Sequence, residues 1–168
     1  VIRRGTMNKM RLEEAIESGD LKEAIRIIED VGEKQDHTFT PILLRYLVTT
    51  DSILLRNAIA VTLADLGDNE AVLPLFDLLR NPKTKGNRGT ILYALGFFDA
   101  STHVMALVDL LDDTFEASRQ SYQLISTVQD KISEAQKELC RQMIRRKLAD
   151  HKNKHKRDFL LESLGLFT

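Results

Sequence analysis

The chain has 168 residues, 43% of them hydrophobic and 29% charged, with a formal net charge of −1. A chain near this size buries roughly 68–70% of the surface its unfolded state exposes, so the composition argues for a core and against wholesale disorder. The single cysteine, Cys140, excludes an internal disulfide framework and a multi-cysteine zinc site. Uncharged runs reach only ten residues, at 89–98 and 120–129, too short to span a bilayer. Arg3 and Arg4 are not followed by an apolar segment, so no secretory leader is visible and a cytoplasmic location is expected.

Residues 1–6 carry no packing pattern and read as an artificial remnant or a disordered extension. From Met7 the apolar residues recur three and four apart, the helical period. Met10, Leu12, Ala15 and Ile16 predict a short helix ending at Ser18-Gly19. Asp20 is placed to cap the next, whose stripe is Leu21, Ala24, Ile25, Ile28 and Val31, with Gly32 as its left-handed stop. Thr38 or Thr40 opens a helix over 41–48, and Asp51 or Ser52 opens one closed by Gly67. Asp68 opens another to Arg80, which Pro74 is expected to bend. Further helices are predicted over 84–98, 101–112, 115–129, 133–149 and 153–166. No strictly alternating segment competes with them, so the class is all-α, with nine or ten helices in a single domain over 7–168.

The strongest signal is internal. LRNAIAVTLADLGDNEAVLPLFDLLRN from Leu55 lies without a gap over NRGTILYALGFFDASTHVMALVDLLDD from Asn87, an offset of 32 residues. Arg56 falls on Arg88, Leu63 on Leu95, Val72 on Val104 and Leu75 on Leu107, which marks the clearest repeats as 52–81 and 84–113. The register runs back to Leu43 and Leu47 and forward to Leu139 and Met143. A helix pair at this interval points to an α-solenoid, each unit burying its apolar face against the next. The pattern resembles the HEAT-like repeats, in particular the short type first described in phycobilisome lyase proteins. Its carriers are the Arg opening the first helix, small and apolar residues through it, a Gly or Asp turn, and the closing apolar pair. The resemblance implies a right-handed superhelix with second helices on a concave, partner-binding side. Tetratricopeptide repeats, suggested by SGDLKEAI, are disfavoured by the period and by the missing Trp-Leu-Gly-Tyr pattern.

On that reading Asp77, His103, Asp109 and Arg141 line a concave ladder and are the candidates for contact with a protein partner. A second row holds Pro74, Ala106 and Glu138. Arg56 and Arg88 are expected to bond carbonyls or carboxylates at the repeat junction, and Phe97-Phe98 to plug the joint between layers. Between 141 and 157, Arg141, Arg145, Arg146, Lys147, Lys152, Lys154, Lys156 and Arg157 face only Asp150, a local +7. Such a cluster suits a polyanion, a nucleic acid above all, or serves equally as a Lys-rich turn between helices. His151 and His155, four apart, would share a helical face without a third ligand, so no metal site is assigned. Asp112 and Asp113 have no evident acid/base partner and read as a helix end. Cys140 reads as core.

No Gly-rich phosphate loop, nucleophile elbow or zinc helix appears, so no catalytic residue and no cofactor is assigned. The expected function is a non-catalytic protein-interaction module of adaptor, regulatory or immunity type. Nucleic-acid binding through 141–157 is the alternative, and a bilin-lyase-like partner protein, implied by the resemblance alone, stands below it.

Overall fold

A computed structural model describes residues 4–168. Among them every regular element is helical: α1 (Arg4–Ser18), α2 (Leu21–Glu33), α3 (Thr40–Thr49), α4 (Ile53–Leu66), α5 (Val72–Arg80), α6 (Gly89–Leu95), α7 (Val104–Val108), α8 (Phe115–Val128), α9 (Glu134–Asp150) and α10 (Lys154–Leu164). Residues 4–6 form the start of α1, while 1–3 lie outside the described residues. Side-chain caps start the helices where the sequence offers them. Asp20, Ser52, Thr114 and Asn153 each accept a backbone N–H of the first turn, and Ser133 forms a reciprocal capping box with Gln136.

The 32-residue period is visible in the backbone itself. Short 3₁₀ turns at His37–Phe39, Asn69–Ala71 and Ser101–His103 lead into α3, α5 and α7, each the same distance from the last. This lead-in corrects the reading of Pro74. α5 begins at Val72, so Pro74 sits in its first turn, where backbone N–H groups have no intrahelical partner to lose. Gly67 ends α4 in the left-handed region (φ 67°) as expected. Gly32 does not end α2: it lies buried inside it, and the left-handed residue is Gln35 (φ 50°). The Gln35 side-chain amide compensates by donating to the carbonyls of Gly32 (2.9 Å) and Asp65 (3.2 Å).

Two helices are shorter than their apolar patterns. α6 does not start until Gly89, because Pro82 and the left-handed Gly86 (φ 82°) hold the preceding residues in turns. α7 stops at Val108, where Asp109, Asp112 and Asp113 place negative charge against the negative end of the helix dipole.

Packing divides the chain into two compact units, one ending at Phe98 and the other spanning Asp99–Thr168. In the first, α1 packs on α2, α3 on α4 and α5 on α6, while α4 also touches both α2 and α6, and α3 touches α5. In the second, α7 packs on α8 and on α9, and α9 on α10. The close antiparallel pair is therefore a second-type helix followed by a first-type helix. The sequence repeats 52–81 and 84–113 cut across these hairpins, since the identity runs through the looser connection.

Equivalent positions share environments where the period holds. Leu63 and Leu95 are both fully buried, as are Leu43, Leu75 and Leu107, while Val104 is buried and Val72 half-buried. The period slips by one residue after Leu111. Leu139, which the 32-residue offset places in the core, is 47% exposed, and Cys140 and Ile144 fill the seam instead. Burial pushes the Cys140 thiol up to about 11, in keeping with a core role.

Candidate functional site

Part of the basic segment is paired within its own unit. α9 carries Lys147, and one turn on, at its C-cap, His151; both reach Asp112 at the end of α7, with Nζ and Nε2 each 2.7 Å from its carboxylate. Lys147 also meets the Asp109 carbonyl at 2.9 Å and its carboxylate at 3.2 Å, and Lys156 donates to the Asp112 carbonyl at 2.6 Å. Burial raises the Asp112 carboxyl, but the hydrogen bonds and charges of Lys147 and His151 outweigh it and hold the group below its ordinary value. Lys147 is raised despite its own burial, because Asp112 and Asp109 favour its charged form.

Arg157 donates to the carbonyls of Leu148 and His151 and so closes the C-terminus of α9. Arg141 is held by Glu134 (2.8 Å), Glu138 (2.9 Å) and the Phe167 carbonyl. Arg145 lies 3.8 Å from Glu138. Arg146, Lys152 and Lys154 stand exposed with no ion pair. His151 and His155 fall on either side of a helix break, so they share no helical face, and His151 is engaged by Asp112. Asp112 and its partners escaped sequence reasoning because the contact spans 39 residues.

The candidates of the expected ladder each have contacts of their own. Asp77 is exposed and lies 3.4 Å from Arg80 on its own helix; Asp109 pairs with Lys147, and the half-buried His103 shares a 2.8 Å contact with the Thr102 hydroxyl. The arginine junction is real. Arg56, only 1% exposed, donates through Nη2 to the Thr50 carbonyl at 3.2 Å, while its Nε and Nη1 find no partner. Arg88 reaches Thr84 Oγ1 at 3.3 Å, and that hydroxyl lies 2.6 Å from the Leu78 carbonyl. Phe97 is no plug: it is 54% exposed and meets Tyr93 edge to face, with centroids 5.3 Å apart.

Three concave sites are present among the described residues, one of them an open hollow of about 580 Å³ lined by Met10, Glu13, Glu14, Glu17 and Ser18 on α1. In the second unit a cavity of about 530 Å³ lies beside α8 and α10, where Arg119 is flanked by the rings of Phe115 (5.4 Å) and Phe159 (4.6 Å). In the first unit an open groove of about 720 Å³ crosses α2, α4 and α6, with Glu29, Glu33, Asn57, Val61, Asp65 and Thr90 among its lining. Val61 and Asp65 repeat the positions of Glu29 and Glu33 in this lining, and the next pair in the series, Tyr93 and Phe97, lies outside it. Glu29, Val61 and Tyr93 are equivalent by the 32-residue period, and so are Glu33, Asp65 and Phe97.

No helix among the described residues is long and apolar enough to cross a membrane. Protein-family models give no match to this chain, and a comparison with curated proteins finds none either.

Proposed function

We propose that the protein is a non-catalytic protein-interaction module, built on HEAT-like stacked helices and of adaptor or regulatory type. The observation that carries this reading is the Tyr93–Phe97 pair, one ring on α6 and one in the turn just after it, both left more than half exposed although the cores beneath are closed. Exposed rings of this kind cost solvation in a monomer and supply contact area with little rotamer entropy to lose, which is why they anchor interfaces. The scaffold beneath them is fixed by caps and by the Arg56 junction, so docking would order little additional chain.

Polyanion binding is the weaker reading, because Arg141, Lys147, Lys156 and Arg157 are already spent on carboxylates and carbonyls of their own unit. A salt series on immobilised duplex DNA separates the two, since retention that falls steeply with salt would favour the nucleic-acid reading. The direct test is nuclease-treated affinity capture from native lysate, comparing the wild type with Tyr93→Ser/Phe97→Ser. A partner identified by mass spectrometry that disappears with the variant supports the module. Identical recoveries from both would remove its basis.

A further inference from the structure

We infer that the cavity beside α8 and α10 in the second unit binds a small zwitterion, a free α-amino acid with an apolar side chain; this goes beyond the interaction-module reading and does not depend on it. The cavity, about 530 Å³, falls within the roughly 300–1,000 Å³ of small-ligand pockets. Each helix lines it with a pair of residues four apart, and so on one face: Phe115 and Arg119 from α8, Asp158 and Glu162 from α10. Leu111 and Phe159 add apolar surface to the same lining.

Arg119 is the deciding group. Its guanidinium carbon lies 5.4 Å from the centroid of the Phe115 ring and 4.6 Å from that of Phe159, so the side chain reaches across to α10. There it meets a ring and not a carboxylate. No ion pair joins it to Asp158 or Glu162, and it donates no hydrogen bond among the described residues. A planar guanidinium steadied by rings keeps its in-plane N–H groups for a carboxylate, which they hold in bidentate fashion. Lys156, the other cation of the lining with a fixed charge, already donates to the Asp112 carbonyl at 2.6 Å.

The mixed charge of the lining selects the class of ligand. Arg119 and Lys156 stand against Asp113, Asp158 and Glu162, so a polyanion or a polycation meets repulsion along with attraction. A molecule that is neutral as a whole but carries both signs is matched at each end, its carboxylate on Arg119 and its ammonium on Asp158 and Glu162. Between the two ends lies apolar surface. Phe115 is 77% exposed, and a ligand side chain laid on its ring removes that area from water.

The test is isothermal titration calorimetry with L-phenylalanine, with hydrocinnamate, which lacks the ammonium, and with phenethylamine, which lacks the carboxylate. L-phenylalanine is expected to bind saturably and each analogue at least tenfold more weakly. Arg119→Met should weaken L-phenylalanine at least tenfold and Asp158→Asn/Glu162→Gln at least fivefold, while Arg146→Met, on an exposed arginine outside the cavity, should stay within twofold. All four side chains are exposed, so each variant should keep the wild-type circular dichroism. Failure of L-phenylalanine to bind would overturn the inference. Equal binding of hydrocinnamate would overturn it by leaving a plain anion site, and equal binding of phenethylamine by leaving a plain cation site. Matching affinities of Arg119→Met and Arg146→Met would place the ligand elsewhere and overturn it as well.

Discussion

The two units treat their carboxylates in opposite ways. In the first, Glu29, Glu33 and Asp65 line an open groove and have no ion pair among the described residues. In the second, Asp109 and Asp112 are absorbed by Lys147 and His151, and Glu134 and Glu138 by Arg141. Read along the chain, the second unit holds the conspicuous charge run and the first holds none. Folding inverts the picture. Part of the charge that is dense in sequence is paired within the second unit, whereas Glu29, Glu33 and Asp65 have no ion pair among the described residues.

The largest expected effects concern the buried leucines within each unit. Leu75→Ala and Leu107→Ala should each cost roughly 2–5 kcal/mol in urea denaturation, as for other emptied leucine sites. Beyond the slip in period, Ile144→Ala should fall in the same range, while Leu139→Ala, on a largely exposed side chain, should stay below about 1 kcal/mol. A large loss at Leu139 and a small one at Ile144 would put the unbroken register back.

Next in size is the clamp on α7. Asp112→Asn should cost about 1.5–3 kcal/mol near neutral pH, the range for hydrogen bonds to charged groups, since Lys147 and His151 both lose its charge and Lys147 keeps only the Asp109 carboxylate. The sign of its pH dependence follows from the depressed carboxyl. Its stabilisation is present above the unfolded value near ~3.9 and is lost as pH falls through the lower folded value. The raised Lys147 contributes up to about pH 10 and loses its part as pH rises through the folded value. Wild type and variant should therefore converge in acid, and a gap that persists below pH 2 would show that the clamp is not electrostatic.

Smaller still is the effect expected at the buried guanidinium. Arg56→Met should be neutral within about 1 kcal/mol or stabilising, because a packed apolar side chain removes the desolvated Nε and Nη1 along with one carbonyl contact. A loss above that would mean that the Thr50 contact organises the turn between α3 and α4. Least of all should Asp77→Lys matter, at within about 0.5 kcal/mol, on a side chain whose single contact is an exposed pair with Arg80.

What was legible in the residues was local or periodic. Asp20, Ser52 and Gly67 act at helix ends as read, because a cap involves only its own turn. The paired burial of Leu63 and Leu95 followed from the offset alone. The misreadings have a common cause in contacts between distant segments. Gly32 looked like a stop, but the side chain of Gln35, reaching Asp65 across to α4, moved the break three residues on. The hairpin phase was hidden because sequence identity does not distinguish a tight connection from a loose one. The groove was readable in principle: Glu33 and Asp65 occupy one repeat position, and asking what faces outward there, as well as what faces the core, exposes it.

The most direct measurement is nuclease-treated affinity capture compared between the wild type, Tyr93→Ser/Phe97→Ser and Phe115→Ser, which removes another exposed ring. The account predicts that a partner is lost with the Tyr93/Phe97 variant and kept with Phe115→Ser. Loss from neither variant, or from both alike, would contradict it.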